Sequence, residues 1–473
     1  MIKTKIVATL GPACAGPECL EKLIAGGVDV FRLNFSHGKL EDHARLLENL
    51  NQVRARYPQA TAVLGDLGGP KIRTSNIEPE GGLLAEGQEV EIVAGDDVGA
   101  PTRFGTTYPR FVEDVQSNHR ILIDDGNLVL QALRKEPGRI VARVIIGGPM
   151  HSRKGINLPD TTVSVPSVTA KDWACIDWAI EHGLNYLALS FVRQAAELRE
   201  VKEYLRSKNS DIQLIAKIEK PQAIEHLEGI IEASDAILVA RGDLGVEMDL
   251  AEVPLIQKRI THLCRQLGKP VIVATQMLQS MIERPAPTRA EVSDVANAIL
   301  DLTDAVMLSG ETAVGKYPEL AVAWLERVAR VTEKWQDEHH ADRGRRRVDK
   351  EMLLTESISR SVAQIVDDTR ARLVVAWSET GATARLLSKS RIDVPVVALS
   401  SNPRVCERLN LEYGIIPVCQ PGVPGEVQRF AEAAERLVRE KGWASPGDQI
   451  VLVAGHTLGA AGTTNTIMVH TIL

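Results

Sequence analysis

Val30-Phe31-Arg32-Leu33-Asn34-Phe35-Ser36 alternates apolar with polar residues. In an extended strand the three polar side chains, Arg32, Asn34 and Ser36, share one face. Runs of similar length flank it, Lys5-Ile6-Val7-Ala8-Thr9 before and Ala62-Val63-Leu64-Gly65-Asp66 after, with longer amphipathic stretches between them. Such alternation calls for parallel strands joined by crossover helices. The series breaks after Pro70 and resumes near Asp172 with a helix, followed by Tyr186 to Val192, Gln213 to Glu219, Ala236 to Asp243, Pro270 to Met277 and Ala305 to Glu311, which makes eight strands.

Eight βα units predict an α/β fold closed into a (β/α)₈ TIM barrel, with an open doubly wound sheet as the alternative. The interruption, residues 70–166, is rich in Gly, Pro and short alternating segments such as Glu89 to Val93 and Ile121 to Gly126. It is expected to be an inserted small β-barrel domain standing over the barrel mouth. Beyond Trp335 a polar stretch ends in Arg343-Gly344-Arg345-Arg346-Arg347, and regular patterns return from Met352 to Leu473. The arginines read as a solvated linker or subunit contact, the alternative being a site for an anionic partner. The expected domains are therefore 1–69 with 167–338, 70–166, and a C-terminal α/β domain over 339–473.

With 44% hydrophobic and 25% charged residues, the composition argues against wholesale disorder. A net charge of −7 gives no reason to expect nucleic acid or an anionic membrane as partner. The six cysteines show no CxxC pair, and no apolar run reaches membrane-spanning length. Reduced thiols and a cytoplasmic location are the expectation.

Reacting groups of (β/α)₈ enzymes lie at the C-terminal ends of the strands, and here nearly every strand ends in polar residues. The third ends at Asp66, the fifth carries Lys217 and Glu219 on one face, and the sixth runs into Arg241-Gly242-Asp243. Two carboxylates on adjacent strands suit a hard, oxygen-loving cation. A plain internal ion pair between Lys217 and Glu219 is the other reading. Gly242 and Asp243 open the next element, where unpaired backbone N–H groups would bind an anionic carboxylate. Thr275 ends the seventh strand and is either a packing hydroxyl or a ligand group. Neither GxxxxGK[ST] nor GxGxxG occurs, so a phosphate site must be built from side chains such as Arg32, Arg73 and Lys154.

These residues resemble the pyruvate kinase family. The matching segments include Thr4 to Pro12, Arg32-Leu33-Asn34-Phe35-Ser36-His37-Gly38, Lys154-Gly155-Ile156-Asn157-Leu158-Pro159, Lys217-Ile218-Glu219, Ala240 to Glu247, Ala274 to Leu278, Pro287 to Glu291 and Leu308 to Ala313. The resemblance implies transfer of the phosphoryl group of phosphoenolpyruvate to ADP, giving pyruvate and ATP, the last step of glycolysis. It implies Mg²⁺, with Mn²⁺ as a substitute, held by Glu219 and Asp243, and Lys217 as the electrostatic stabiliser. Thr275 would bind the carboxylate and relay a proton, Gly242 and Asp243 would offer backbone N–H groups, and Arg32 would grip the phosphoryl group. His37, Arg73 and Lys154 would meet nucleotide phosphates, and Asp124 or Asp125 would arrive with the insert on closure.

One departure stands out. Many family members need K⁺ and carry Thr-Lys-Gly-Pro-Glu after the third-strand Asp, whereas this chain reads Asp66-Leu67-Gly68-Gly69-Pro70-Lys71. The pocket residues Asn34, Ser36, Asp66 and Leu67 remain, and the Lys71 ammonium in place of a Glu predicts turnover without K⁺. Thr288-Arg289-Ala290-Glu291 has capping-box spacing and should start a helix, which in the family lies near a subunit interface and so implies a homotetramer. Ser378-Glu379-Thr380-Gly381-Ala382-Thr383 is a hydroxyl-rich turn similar to the family's effector loop. Ser378, Thr380, Gly381 and Thr383 would hold a phosphorylated small molecule there, with Gly462 to Asn465 nearby, or else simply cap a helix. Mg²⁺-dependent lyases and aldolases on the same barrel, and an inactive scaffold, are the rival functions.

Overall fold

The computed structural model describes residues 2–57, 60–339, 353–422, 427–455 and 464–473. The arginine cluster 343–347, Gly462 and Thr463 lie outside the described residues.

Eight strands close into a barrel: β1 Lys5–Thr9, β2 Val30–Asn34, β3 Ala62–Asp66, β4 Tyr186–Leu189, β5 Gln213–Ile218, β6 Ala236–Ala240, β7 Val271–Ala274 and β8 Ala305–Leu308. Each pairs in parallel with the next, and β8 returns to β1 with Lys5 opposite Ala305, so the open-sheet alternative fails. The two-residue period sorts the side chains. Val7, Val30, Leu64, Ile215, Leu238 and Met307 fill the interior, while Ile6, Phe31, Val63, Leu214, Ile237 and Val306 pack outward under the surrounding helices. The expected helix after the insert is Ala170–Glu181, with Thr169 as its N-cap. Thr288 likewise caps Arg289–Leu300, its hydroxyl accepting the Glu291 N–H.

Two strands, β4 and β7, stop earlier than their apolar runs suggest, because the chain bends sharply at the rim. Phe191, Thr275 and Gln276 adopt φ of +56°, +68° and +56°, conformations that end a ladder and turn side chains across the mouth. Gly69 makes a similar turn at φ +63°, where a Cβ would stand 2.6 Å from the Phe191 ring, so the exit into the insert has no room for a side chain.

The insert, expected as a small β-barrel, contains a six-stranded sheet and a two-stranded ribbon, Gly82–Leu84 with Gly148–Met150. Val90, Phe104, Phe111, Ile121, Leu130 and Met150 form its common core. The C-terminal segment is a five-stranded sheet in the order Ile415–Cys419, Val396–Ser400, Leu373–Trp377, Gln449–Gly455, Thr464–Thr471. Its one antiparallel pair is the last. Helices cover both faces, Leu353–Thr369 and Ala382–Lys389 on one and Val427–Glu440 on the other.

This C-terminal sheet domain seals the N-terminal end of the barrel. Leu411 joins the barrel interior, Lys5 Nζ donates to Ile415 O at 2.8 Å, and the Tyr186 hydroxyl donates to Arg408 O. The opposite end, beneath the insert, is left open for chemistry.

Candidate active site

Four strands bring charge to the open end. Arg32 on β2 donates from Nε and Nη2 to Asp66 Oδ2 on β3, at 2.8 and 2.5 Å. Its Nη1 donates to Thr9 Oγ1 at 3.0 Å, and that hydroxyl donates to Leu308 O at 2.8 Å. On β5 the Lys217 ammonium lies 2.7 Å from Glu219 Oε1 and 3.3 Å from Asp66 Oδ1. It also donates to Ser190 Oγ at 2.7 Å. Glu219 Oε2 accepts the Phe191 N–H at 2.8 Å. Asp66 and Glu219 are each 1% exposed, and charges so buried are tolerable only when paired.

The two cations and two carboxylates balance one another, and Asp243 adds a negative charge beside them. Burial alone would push the Asp66 carboxyl up, but Lys217 and Arg32 outweigh it and hold it below the ordinary range. Burial opposes the Lys217 charge too, yet Asp66, Glu219 and Asp243 together raise its affinity for the proton, so the ammonium stays charged. Glu219 moves the other way: burial and then the like charge of Asp243 outweigh the pull of Lys217. Two carboxylates that repel one another are the donor set a divalent cation relieves. Among the described residues no group of three or more His, Cys, Asp or Glu is placed to hold a metal. A cation held by the Glu219 and Asp243 pair would have to complete its shell with substrate or water oxygens.

Lys217 and Glu219 do form the plain ion pair that was the alternative reading, but as part of a network including Arg32, Asp66 and Ser190. The expectation of an unpaired Gly242 N–H needs correction. That group donates to Thr275 Oγ1 at 2.7 Å, because the positive φ of Thr275 swings its hydroxyl over the start of the helix Arg241–Glu247. Thr275 Oγ1 in turn donates to Ala274 O at 2.6 Å. A β-branched residue in this conformation is strained, and Arg241 pins the turn by donating to Thr275 O at 2.9 Å while pairing with Asp294 at 2.6 Å.

Between insert and barrel lies a cleft of about 360 Å³ lined by His37, Lys71, Arg73, Asp124, Asp125, Lys154 and Asp243, with Phe191 and Lys220 on its wall. Lys154 Nζ holds Asp124 Oδ1 at 2.9 Å. Insert and barrel are tied by Asn157 Nδ2, which donates to the buried Glu247 at 2.7 Å. His37 also borders a second cleft of about 680 Å³, whose walls combine Leu10, Pro12, Leu46 and Val314 with Asn34, Asp42 and Asn49. Among the residues expected to form a monovalent-cation pocket, Asn34 Oδ1 accepts the Ser36 N–H at 3.1 Å and Leu67 O accepts the Ser190 hydroxyl at 2.7 Å. Lys71 reaches the same neighbourhood. Desolvation and the Lys217 charge lower its proton affinity, while Asp243 and Asp66 oppose that. His37 is lowered by burial and by Lys71, Arg73 and Arg32.

In the C-terminal domain, Ser378 Oγ accepts the Ala384 N–H at 3.3 Å and Gly381 turns at φ +82°. Arg385 donates to Thr380 O at 3.4 Å, and Thr383 Oγ1 lies 2.6 Å from Thr464 Oγ1. Thr464 thus stands beside the loop, as expected for the C-terminal stretch. The sequence reading missed Thr9, Ser190, Arg241 and the Asn157–Glu247 tie, all defined by partners distant along the chain.

A closed parallel barrel with a cleft of mixed, charge-rich lining above a rim of paired acids and cations is the architecture of a (β/α)₈ enzyme. The family models for "Pyruvate kinase, barrel domain" and "Pyruvate kinase, alpha/beta domain" match residues 1–322 and 356–470. Pyruvate kinase of Geobacillus stearothermophilus is 41% identical over 473 residues, 99% of this chain and 80% of that one. That of Bacillus licheniformis is 39% identical over 475 residues, 100% and 81% of the two chains. A crystal structure of a pyruvate kinase from Cryptosporidium parvum superposes with a TM-score of 0.91 at 33% identity, covering 100% of this chain and 96% of that one. The chain belongs to the pyruvate kinase family and is a phosphotransferase.

Proposed function

We propose that the site transfers the phosphoryl group of phosphoenolpyruvate to ADP, with Mg²⁺ on Glu219 and Asp243. The observation that carries this reading is the Lys217 ammonium at the open end of the barrel, 2.7 Å from Glu219, 3.3 Å from Asp66 and 2.7 Å from Ser190. When bound, the divalent ion supplies a positive anchor for the substrate's carboxylate and phosphoryl oxygens. Lys217 offsets the charge that grows on the bridging oxygen as enolate forms, an electrostatic contribution that needs no reorganisation because its position is already fixed. Arg32, braced by Asp66 and Thr9, orients the transferring group. Thr275 directs its hydroxyl toward the substrate carboxylate and relays a proton to the enolate carbon through water. In doing so the hydroxyl gives up its bond to Ala274 O, and as its oxygen leaves the Gly242 N–H, that group and the Asp243 N–H serve the same carboxylate.

The cationic groups Arg73 and Lys154, with His37 at the edge of the cleft, suit the nucleotide phosphates, and the larger cleft reached past His37, with its apolar walls, suits the nucleoside. Lys71 stands in for K⁺: its charge acts on Asp66 and Asp243 together. The loop Ser378 to Thr383 is the proposed effector site for a phosphorylated small molecule. A homotetrameric, cytoplasmic enzyme is the biological form that this reading proposes.

The test is to mix protein, phosphoenolpyruvate and Mg²⁺ with and without ADP. Pyruvate should form only with ADP and in step with ATP; equal pyruvate in both would make the protein a lyase or phosphatase.

A further inference from the structure

Ser190 directly follows β4 and is 2% exposed. Its hydroxyl carries one proton, and that proton is committed to Leu67 O at 2.7 Å. Lone pairs of the same oxygen must then face the Lys217 ammonium, 2.7 Å away. The acceptor itself sits on a rigid support, because Leu67 N donates to Ala188 O at 3.0 Å and so locks the ends of β3 and β4 together.

We infer that Ser190 is a positioning residue for phosphoryl transfer, aiming the Lys217 ammonium at the substrate oxygen on which negative charge develops. The inference rests on the proposed role of Lys217. An ammonium has three donors, and besides Ser190 it lies within ion-pair distance of Glu219 at 2.7 Å and Asp66 at 3.3 Å. Both are carboxylates, so they hold the lysine at the cost of offsetting its charge. A hydroxyl holds the same group without cancelling the field that the enolate needs. Moreover, Glu219 is the carboxylate assigned to the cation, and any share it gives to a metal is withdrawn from Lys217. Ser190 and Asp66 then remain to keep the ammonium in place.

Steady-state kinetics of wild type, Ser190→Ala, Ser190→Cys, Ser190→Thr and Lys217→Met test this. A small misplacement of a catalytic group costs up to about 10²-fold, so kcat should fall about tenfold in the Ala and Cys variants, with KM for ADP within about twofold of wild type. Cysteine fills the space of serine, but its sulfur is a weak acceptor. If packing were the role, the Cys variant would run at the wild-type rate, and that result overturns the inference. So does an Ala variant whose kcat stays within about twofold of wild type, by the same expectation. Recovery of most of the rate in the Thr variant, which keeps the hydroxyl, supports it. Should the Ala variant fail to fold, the Cys variant decides. Full activity in Lys217→Met refutes the role of Lys217 itself, whereas an inactive Lys217→Met beside an unimpaired Ser190→Ala refutes only the role of Ser190.

Discussion

Replacing Lys389 by Met probes how the C-terminal domain is fastened beneath the barrel. Lys389 ends the helix Ala382–Lys389, and its side chain is 1% exposed. Its ammonium is 2.8 Å from Asp304 Oδ1, just before β8, and 3.1 Å from Glu412 Oε2. Asp304 has other support, from Arg391 at 3.1 Å and from the Val271 N–H at 2.8 Å. Apart from this ion pair, Glu412 Oε2 has no hydrogen-bond partner among the described residues, so Lys389→Met strands a buried carboxylate. Removing one member of a buried pair costs about 3–5 kcal/mol, and because Asp304 keeps its partners the lower end, about 3 kcal/mol, is expected. With a urea m-value of about 1–3 kcal/mol/M, the first unfolding transition should move down by about 1–3 M. Adding Glu412→Leu removes the stranded charge as well, and most of the loss should return, since replacing both members of such a pair by apolar groups is close to neutral. Turnover well below the transition should not change, because the cluster lies at the end of the barrel away from Lys217. A single variant as stable as wild type, or a double variant no better than the single, would refute the reasoning.

Glu291 accepts from Ser280 N and Oγ and from Thr288 N and Oγ1, at 2.7, 2.6, 2.7 and 2.9 Å. Burial pushes its carboxyl up, but the bonds to Ser280 and Thr288 prevail and lower it. A depressed folded value means that the stabilisation is complete above the ordinary Glu range and is lost as pH falls through it. Glu291→Ala should therefore cost about 1–2 kcal/mol at neutral pH, and thermal melts should show the gap to wild type closing below about pH 4. Chelation by EDTA should abolish turnover and leave the melting temperature unchanged, with activity restored by Mg²⁺ or Mn²⁺; a melting temperature that collapses would mean that the site's charges are not self-compensating. In buffer free of Na⁺, K⁺ and NH₄⁺, turnover should stay within about tenfold, ~1.4 kcal/mol in the barrier, of its value with K⁺, and Lys71→Glu should make the enzyme depend on added K⁺.

The barrel was legible because a two-residue period and a strand–helix alternation recur over about 250 residues, an ordinary barrel length. The site was legible because charge buried at the ends of such strands is costly unless a partner or ligand meets it. Lys217, Glu219, Asp66 and Arg32 were found in this way. The strand ends were not, since Phe191, Thr275 and Gln276 turn at positive φ inside stretches whose composition still reads as strand. Ser190 and Leu67 bond across 123 residues, and nothing local to either marks the pair. Leu411 looks like any other leucine, yet it closes the barrel floor. What escapes sequence reading here is partnership, which depends on closure of the whole fold.

The two ends of the barrel handle buried charge differently, and the difference separates stability from function. At the floor, Asp304, Lys389, Arg391 and Glu412 are all at most 4% exposed in their side chains and answer one another within the interface. At the mouth, Arg32, Asp66, Lys217 and Glu219 also pair internally, but Asp243 and Lys71 face the cleft and perturb them from outside. Ligands arriving there exchange partners with groups already charged and already placed, so little new charge has to be desolvated when substrate binds. The floor charges, at most 4% exposed, are held by one another rather than by a ligand-facing surface.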